Sequence, residues 1–245
     1  MNTKKEDGTI SENNKDNMIV MNPHFQKVLN NNQPTDFRVI ELIKQQKTMW
    51  HLDKHITWDE FNLAINGIKS MIATVLNGVP PEEFKDTDED CRRYVFDSIN
   101  EFWNDRADFE TWNKIKCVSV PKLVYLSYPK KWRGVMLLGV IFKIFRSVIN
   151  VCCFEILDTH RTKFQFVGMP NINFSNGILT IKTLLNMKKN HNLPTFAAFV
   201  DLVNYFDNAG HELLTKLLEI YGSPPEFSLN IHIMYKIFDN CPQDW

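Results

Sequence analysis

Apolar residues recur at helical spacing in several separate stretches of the chain. Trp58, Phe61, Ala64, Ile65 and Ile68 fall every three or four positions, which predicts a helix. Thr57 stands before it with Glu60 three residues on, the pattern of a capping box. Tyr94, Val95, Ile99, Phe102 and Trp103 predict a second amphipathic helix over Asp88 to Trp103, with those aromatics in the core. Thr35 to Lys47 is expected as a helix with Phe37, Ile40, Leu42 and Ile43 inside. Gly139 to Asp158 is long and mostly apolar and carries Lys143 and Arg146 on one side. Ser175 or Asn176 is expected to cap a helix that buries Ile178, Ile181, Leu184 and Leu185 and ends in Lys188 and Lys189. His211 to Tyr221, capped by Asn208, buries a leucine stripe until Gly222 and Pro224 end it. Another helix begins at Phe227.

Other stretches lack that period. Ile115 to Pro121 and Arg133 to Leu138 predict two strands, with Pro129 at the bend between them. Phe196 to Val200 is a short apolar run opened by a proline, the pattern of a strand buried on both faces. It ends on Asp201, and Asp207 follows behind Tyr205 and Phe206. A carboxylate at the tip of a buried strand is a rigid mount for a hard divalent cation. The residues alone serve equally well as a strand end at Asp201 and a helix cap at Asp207. Met1 to Asn17 is polar and charged and is expected to be disordered, and Met18 to Asn32 is asparagine-rich with a few apolar anchors.

The apolar fraction of 44%, with 18 Phe and 6 Trp, is enough for a substantial core. Five cysteines without a C-x-x-C pair make a disulfide framework or a zinc site a poor fit and point to a reducing, intracellular compartment, cytoplasm or nucleus. The longest apolar run, Gly134 to Phe142, is too short to span a bilayer, so no membrane is expected. The net charge of −1 hides a strong segregation. Glu82 to Glu110 holds eleven acids against four bases, and Thr111 to Phe154 holds eight bases and no acid. Such a span either faces phosphate or is a solvated basic face balanced by its acidic neighbour.

The nonamer FVDLVNYFD resembles the first catalytic motif of non-LTR (LINE-type) retrotransposon reverse transcriptases, usually F-V-D-L-x-K-A-F-D. The likeness continues through NAGHELLTKLLEIYGSPPE and runs back through HNLPTF, FSNGILTIKTLL, KFQFVG, PKKWRGV, DSINEFW and ITWDEF. It implies an α+β fold: the fingers of a right-hand polymerase plus an incomplete palm, truncated before the second catalytic aspartate motif. The expected organisation is a tail and linker over 1–35, a helical N-terminal extension over 36–113, a fingers-like region over 114–193 and the start of the palm over 194–245.

The resemblance also implies roles. Asp201 would be the catalytic carboxylate and a magnesium ligand, with the main-chain carbonyl of Leu202 beside it. Arg133, in KKWRGV, would hold the triphosphate of the incoming nucleotide, a task that suits a forked guanidinium. Lys122 and Lys131 are further candidates for that anion, or plain surface charges. Phe206 would lie against the sugar and exclude a ribose 2′-hydroxyl. Gln165 and Gly168 would lie against the template strand. The implied partners are an RNA template, a DNA primer and deoxynucleoside triphosphates, with two Mg2+ ions in the intact enzyme. No [FY]-x-D-D pattern follows Asp207, so this chain is expected to be inactive by itself. The alternative is a remnant that binds nucleic acid or protein without catalysis.

Overall fold

The computed structural model describes residues 14–29, 37–69, 79–105, 116–122, 128–169, 172–202 and 209–239. The architecture is helix-rich with one two-stranded sheet, α+β in the general sense. Helices α1 (Asn14–Leu29), α2 (Arg38–Glu41), α3 (Trp58–Gly67), α4 (Pro81–Lys85) and α5 (Glu89–Asp105) precede strands β1 (Lys116–Pro121) and β2 (Trp132–Leu137). Then follow α6 (Val140–His160), α7 (Phe174–Asn190), α8 (His211–Ile220) and α9 (Pro225–Asp239). Among the described residues no helix is long and apolar enough to cross a membrane.

The core forms where the long apolar stripes meet. Phe61, Ile65, Ile99, Phe102, Phe145, Ile156 and Phe227 are almost fully buried and belong to one cluster drawn from α3, α5, α6 and α9. Phe102 sets its edge against Phe145 at 5.1 Å, and Trp103 lies 5.9 Å from Phe227. The expected capping box starts α3, with Thr57 and Glu60 satisfying each other's backbone N–H groups. Asp88 stands before α5 and serves one of its first amides, its Oδ1 accepting from the Cys91 N–H at 2.8 Å. Asn100 ties α5 to the chain entering α3. Its Oδ1 accepts from the Ile56 amide at 2.9 Å, and its Nδ2 donates to the Ile56 carbonyl at 3.2 Å. Gly222, at φ +98°, turns the chain after α8. Its carbonyl accepts from the Met49 amide, and a Cβ there would stand 2.5 Å from the Lys47 carbonyl oxygen.

Several expectations are corrected. The helix expected over Thr35 to Lys47 is only the short α2 within the described residues, and Lys44 to Met49 is irregular. There the backbone pairs with the end of α8 instead, Gln46 N–H to the Ile220 carbonyl at 2.8 Å. Part of the expected tail and linker is helix α1, because Met21 and Phe25 find an apolar partner in Trp132 of the hairpin. Tyr94 is exposed, since it stands on the solvent side of α5 from Val95 and Ile99. The cap of α7 is Asn173, paired reciprocally with Asn176, and not Ser175 or Asn176. Ile178, Ile181, Leu184 and Leu185 of α7 are exposed, because none of the described elements packs over that stripe.

The largest correction falls on the stretch before Asp201. Residues 193–202 form neither helix nor strand, with Phe196 95% and Phe199 85% exposed. A strand exists only through a neighbour that takes its backbone hydrogen bonds, and none of the described residues supplies one here. Asp201 is therefore not at the tip of a buried central strand. Phe206, Asp207 and Asn208 lie outside the described residues.

Candidate nucleic-acid interface

The expected hairpin is present. β1 and β2 run antiparallel with Val120 opposite Arg133 and Ser119 opposite Gly134. Side chains alternate across a strand, so the pair has two distinct faces. Cys117, Ser119 and Pro121 share one face with Trp132, Gly134 and Met136. That face meets α1: a Cβ on Gly134 would lie 3.1 Å from both the Phe25 ring and the Cys117 sulfur. Absence of a side chain at Gly134 is what lets helix and hairpin approach.

The opposite face carries Val118, Val120, Arg133 and Val135. It is open: the valines are 37%, 44% and 37% exposed, and Arg133 is exposed among them. The Arg133 guanidinium makes no hydrogen bond or ion pair among the described residues. At the hairpin end the Lys122 backbone amide donates to the Lys131 carbonyl at 2.8 Å, which sets these two lysines opposite each other, with Lys130 next along the chain. Lys130 stands over the Tyr128 ring at 5.9 Å. Burial, and then Lys122, hold the His24 imidazole below its ordinary pKa.

A groove of about 360 Å³ opens between β2 and α6. Val135 and Leu137 form one wall, and Lys143, Arg146, Ser147 and Asn150 of α6 form the other, with Lys69 at the rim. Those α6 residues fall at helical spacing opposite the buried Phe142, Phe145 and Ile149. Burial and the neighbouring Arg146 push the Lys143 ammonium below its ordinary pKa. Lys143 and Arg146 were legible as a basic side of this helix. The part of Lys69, Ser147 and Asn150 was not, because it depends on how β2 lies against α6.

The remaining expected site residues are not brought to the hairpin by any hydrogen bond or ion pair among the described residues. Asp201 and Leu202 lie exposed on the irregular segment after α7. Gln165 is exposed, its amide donating to the Thr162 carbonyl at 3.2 Å. Gly168 takes φ +79°, a turn conformation that glycine adopts freely. Between them Phe166 lies against Gly177, so this turn is fixed onto the first turns of α7.

Magnesium needs several oxygen donors converging on one point. Asp201 and the Leu202 carbonyl supply three oxygens at most, and among the described residues no group of three His, Cys, Asp or Glu side chains is placed to hold a metal ion. No family model matches the chain, and no curated protein matches it.

Proposed function

We propose that this chain is a nucleic-acid-binding module related to the fingers and the start of the palm of non-LTR retrotransposon reverse transcriptases. One observation carries it: an antiparallel hairpin with Arg133 on its open face and three lysines at its end, within an acid-free span. A guanidinium on a flat, half-apolar strand surface suits a phosphate group with a sugar or base beside it. In an intact enzyme of this kind Arg133 would hold the triphosphate, with Lys122 and Lys131 nearby. Gln165 and Gly168 would lie against template, and Asp201 would help hold magnesium. An RNA template, a DNA primer and deoxynucleotides are the proposed partners on that reading.

For the chain as given, binding without catalysis is the favoured form. Asp201 sits on an exposed segment that is neither helix nor strand, and none of the described residues pairs with that segment as a strand. The test is binding of an RNA–DNA hybrid measured across a salt series. If about three cations reach phosphates, the log–log slope should lie near −2 to −3, as counterion release requires. Exchanging Lys130, Lys131 and Arg133 together for Gln should flatten it. A measurable affinity that ignores salt, or a triple variant that binds like the parent, would defeat the reading.

A further inference from the structure

Residues 195–202, TFAAFVDL, hold an apolar run in solvent that the hairpin and its cations do not use. Phe196, Ala197, Ala198, Phe199, Val200 and Leu202 are all exposed. The two rings alone present roughly 300–450 Å² of apolar surface. The same chain buries Phe142, Phe145 and Phe227 almost completely, so an open patch of that size marks an interaction surface. The backbone is open as well, since none of the described residues pairs with this segment as a strand. Aromatic and β-branched residues favour a strand, and an unpaired run of them is a template for another backbone.

The order of the residues says which backbone fits. Between Lys189 and Asp201 there is no Asp, Glu, Lys or Arg, so two copies laid side by side meet no like charges there. An antiparallel pair related by a two-fold axis sets one residue opposite itself. With Ala198 on the axis, Phe196 stands opposite Val200 of the second copy, a favourable aromatic and β-branched pair. Ala197 stands opposite Phe199, small against large, and Thr195 opposite Asp201. Pro194, which has no N–H to give, then falls outside the ladder. An axis at Ala197 would draw Pro194 into it, opposite Val200. A two-stranded ribbon also needs an apolar layer against it. Helix α7 ends shortly before the segment and leaves Ile178, Ile181 and Leu185 exposed on one face. With Val200, Leu202 and the α7 stripe, the open apolar surface is on the order of the 800 Å² per partner of a standard interface.

We propose that Thr195 to Asp201 pairs antiparallel with the same residues of a second copy about Ala198, forming a closed two-fold dimer whose ribbon is covered by the α7 stripes. Nothing in this dimer draws on the hairpin or on nucleic acid.

The test is sedimentation equilibrium of the whole chain, treated with nuclease, over a concentration series. A monomer–dimer equilibrium is expected, and it should be the same at low and high salt because no ion pair crosses the axis. Phe199→Asp and Val200→Lys, at positions exposed in the single chain, should each weaken the dimer at least about tenfold. Their urea unfolding, followed where parent and variants are all monomeric, should match the parent. Ala198→Cys, in a chain with Cys91 and Cys241 changed to Ser, should join two copies through a disulfide under mild oxidation. Opposed residues of an antiparallel pair lie about 4.5–5.5 Å apart, within disulfide reach. Thr195→Cys should not link to its own copy, because the register sets it opposite Asp201. A monomer at every concentration, a dimer indifferent to both exchanges, linkage as ready at Thr195→Cys as at Ala198→Cys, or an open-ended aggregate in place of a dimer would overturn the proposal. Dissociation by salt would overturn it too, since that would trace the association to the charged hairpin.

Discussion

Asn100 holds two parts of the chain together through a single residue's backbone, and its removal should be felt well beyond one contact. Ile56 is 4% exposed, and both its amide and its carbonyl are satisfied by the Asn100 side chain, at 2.9 and 3.2 Å. Asn100→Ala leaves both groups without a partner at a site from which water is largely excluded. Each such orphan costs about 1–3 kcal/mol, so the pair should cost about 3 kcal/mol. For a chain of this size that lowers the melting temperature by about 6–12 °C. Asn100→Asp keeps the acceptor for the Ile56 amide but sets a carboxylate oxygen against the Ile56 carbonyl, and should also destabilise at neutral pH. Ser98→Ala is the control, because its hydroxyl only donates back to the Tyr94 carbonyl on the same helix, a surface change worth about 0.5 kcal/mol or less. Urea unfolding and thermal melts of the three variants give the comparison. If Asn100→Ala falls within 1 kcal/mol of the parent, the clamp between α5 and the approach to α3 is not what holds Ile56 in place.

Gly222→Ala should destabilise by about 2–5 kcal/mol, since a side chain at positive φ is strained and its Cβ would press on the Lys47 carbonyl. Gly67→Ala, where a Cβ meets nothing within 4 Å, should be neutral or slightly stabilising in the same denaturation assay. Burial pushes the Cys152 thiol up to about 11 and the Cys153 thiol up to about 12 from an ordinary 9.0. Both pKa values are higher folded than unfolded, so their contribution to stability is complete below pH 9.0 and is lost as pH rises toward 11 and 12. Melts should therefore soften above that point, and maleimide mapped by mass spectrometry at neutral pH should label the exposed Cys91 before either of them; equal labelling of all three would refute the packing of α6.

The local grammar of the chain was readable without any fold. The capping box at Thr57 and Glu60 works through atoms three residues apart, so sequence spacing contains all of it. The same holds for the hairpin, where strand-forming runs flank Pro129, and for α6, whose apolar stripe is long enough to demand burial. The segregation of charge, and with it Arg133 and the lysines of the hairpin, was equally a property of order along the chain.

What lay beyond the sequence were matters of who packs against whom. The asparagine-rich stretch before Leu29 became a helix because Met21 and Phe25 meet Trp132, a contact across more than a hundred positions. The groove at Lys143 and Arg146 needed β2 to lie against α6. Phe196 to Val200 and the α7 stripe show the converse. Their apolar pattern predicts burial, but a pattern states only a demand, and burial requires a second surface. None of the described residues provides it, so these side chains stay in solvent and the segment ahead of Asp201 remains unpaired. Spacing along the chain determines which faces are apolar; only the tertiary structure decides which of them find a partner.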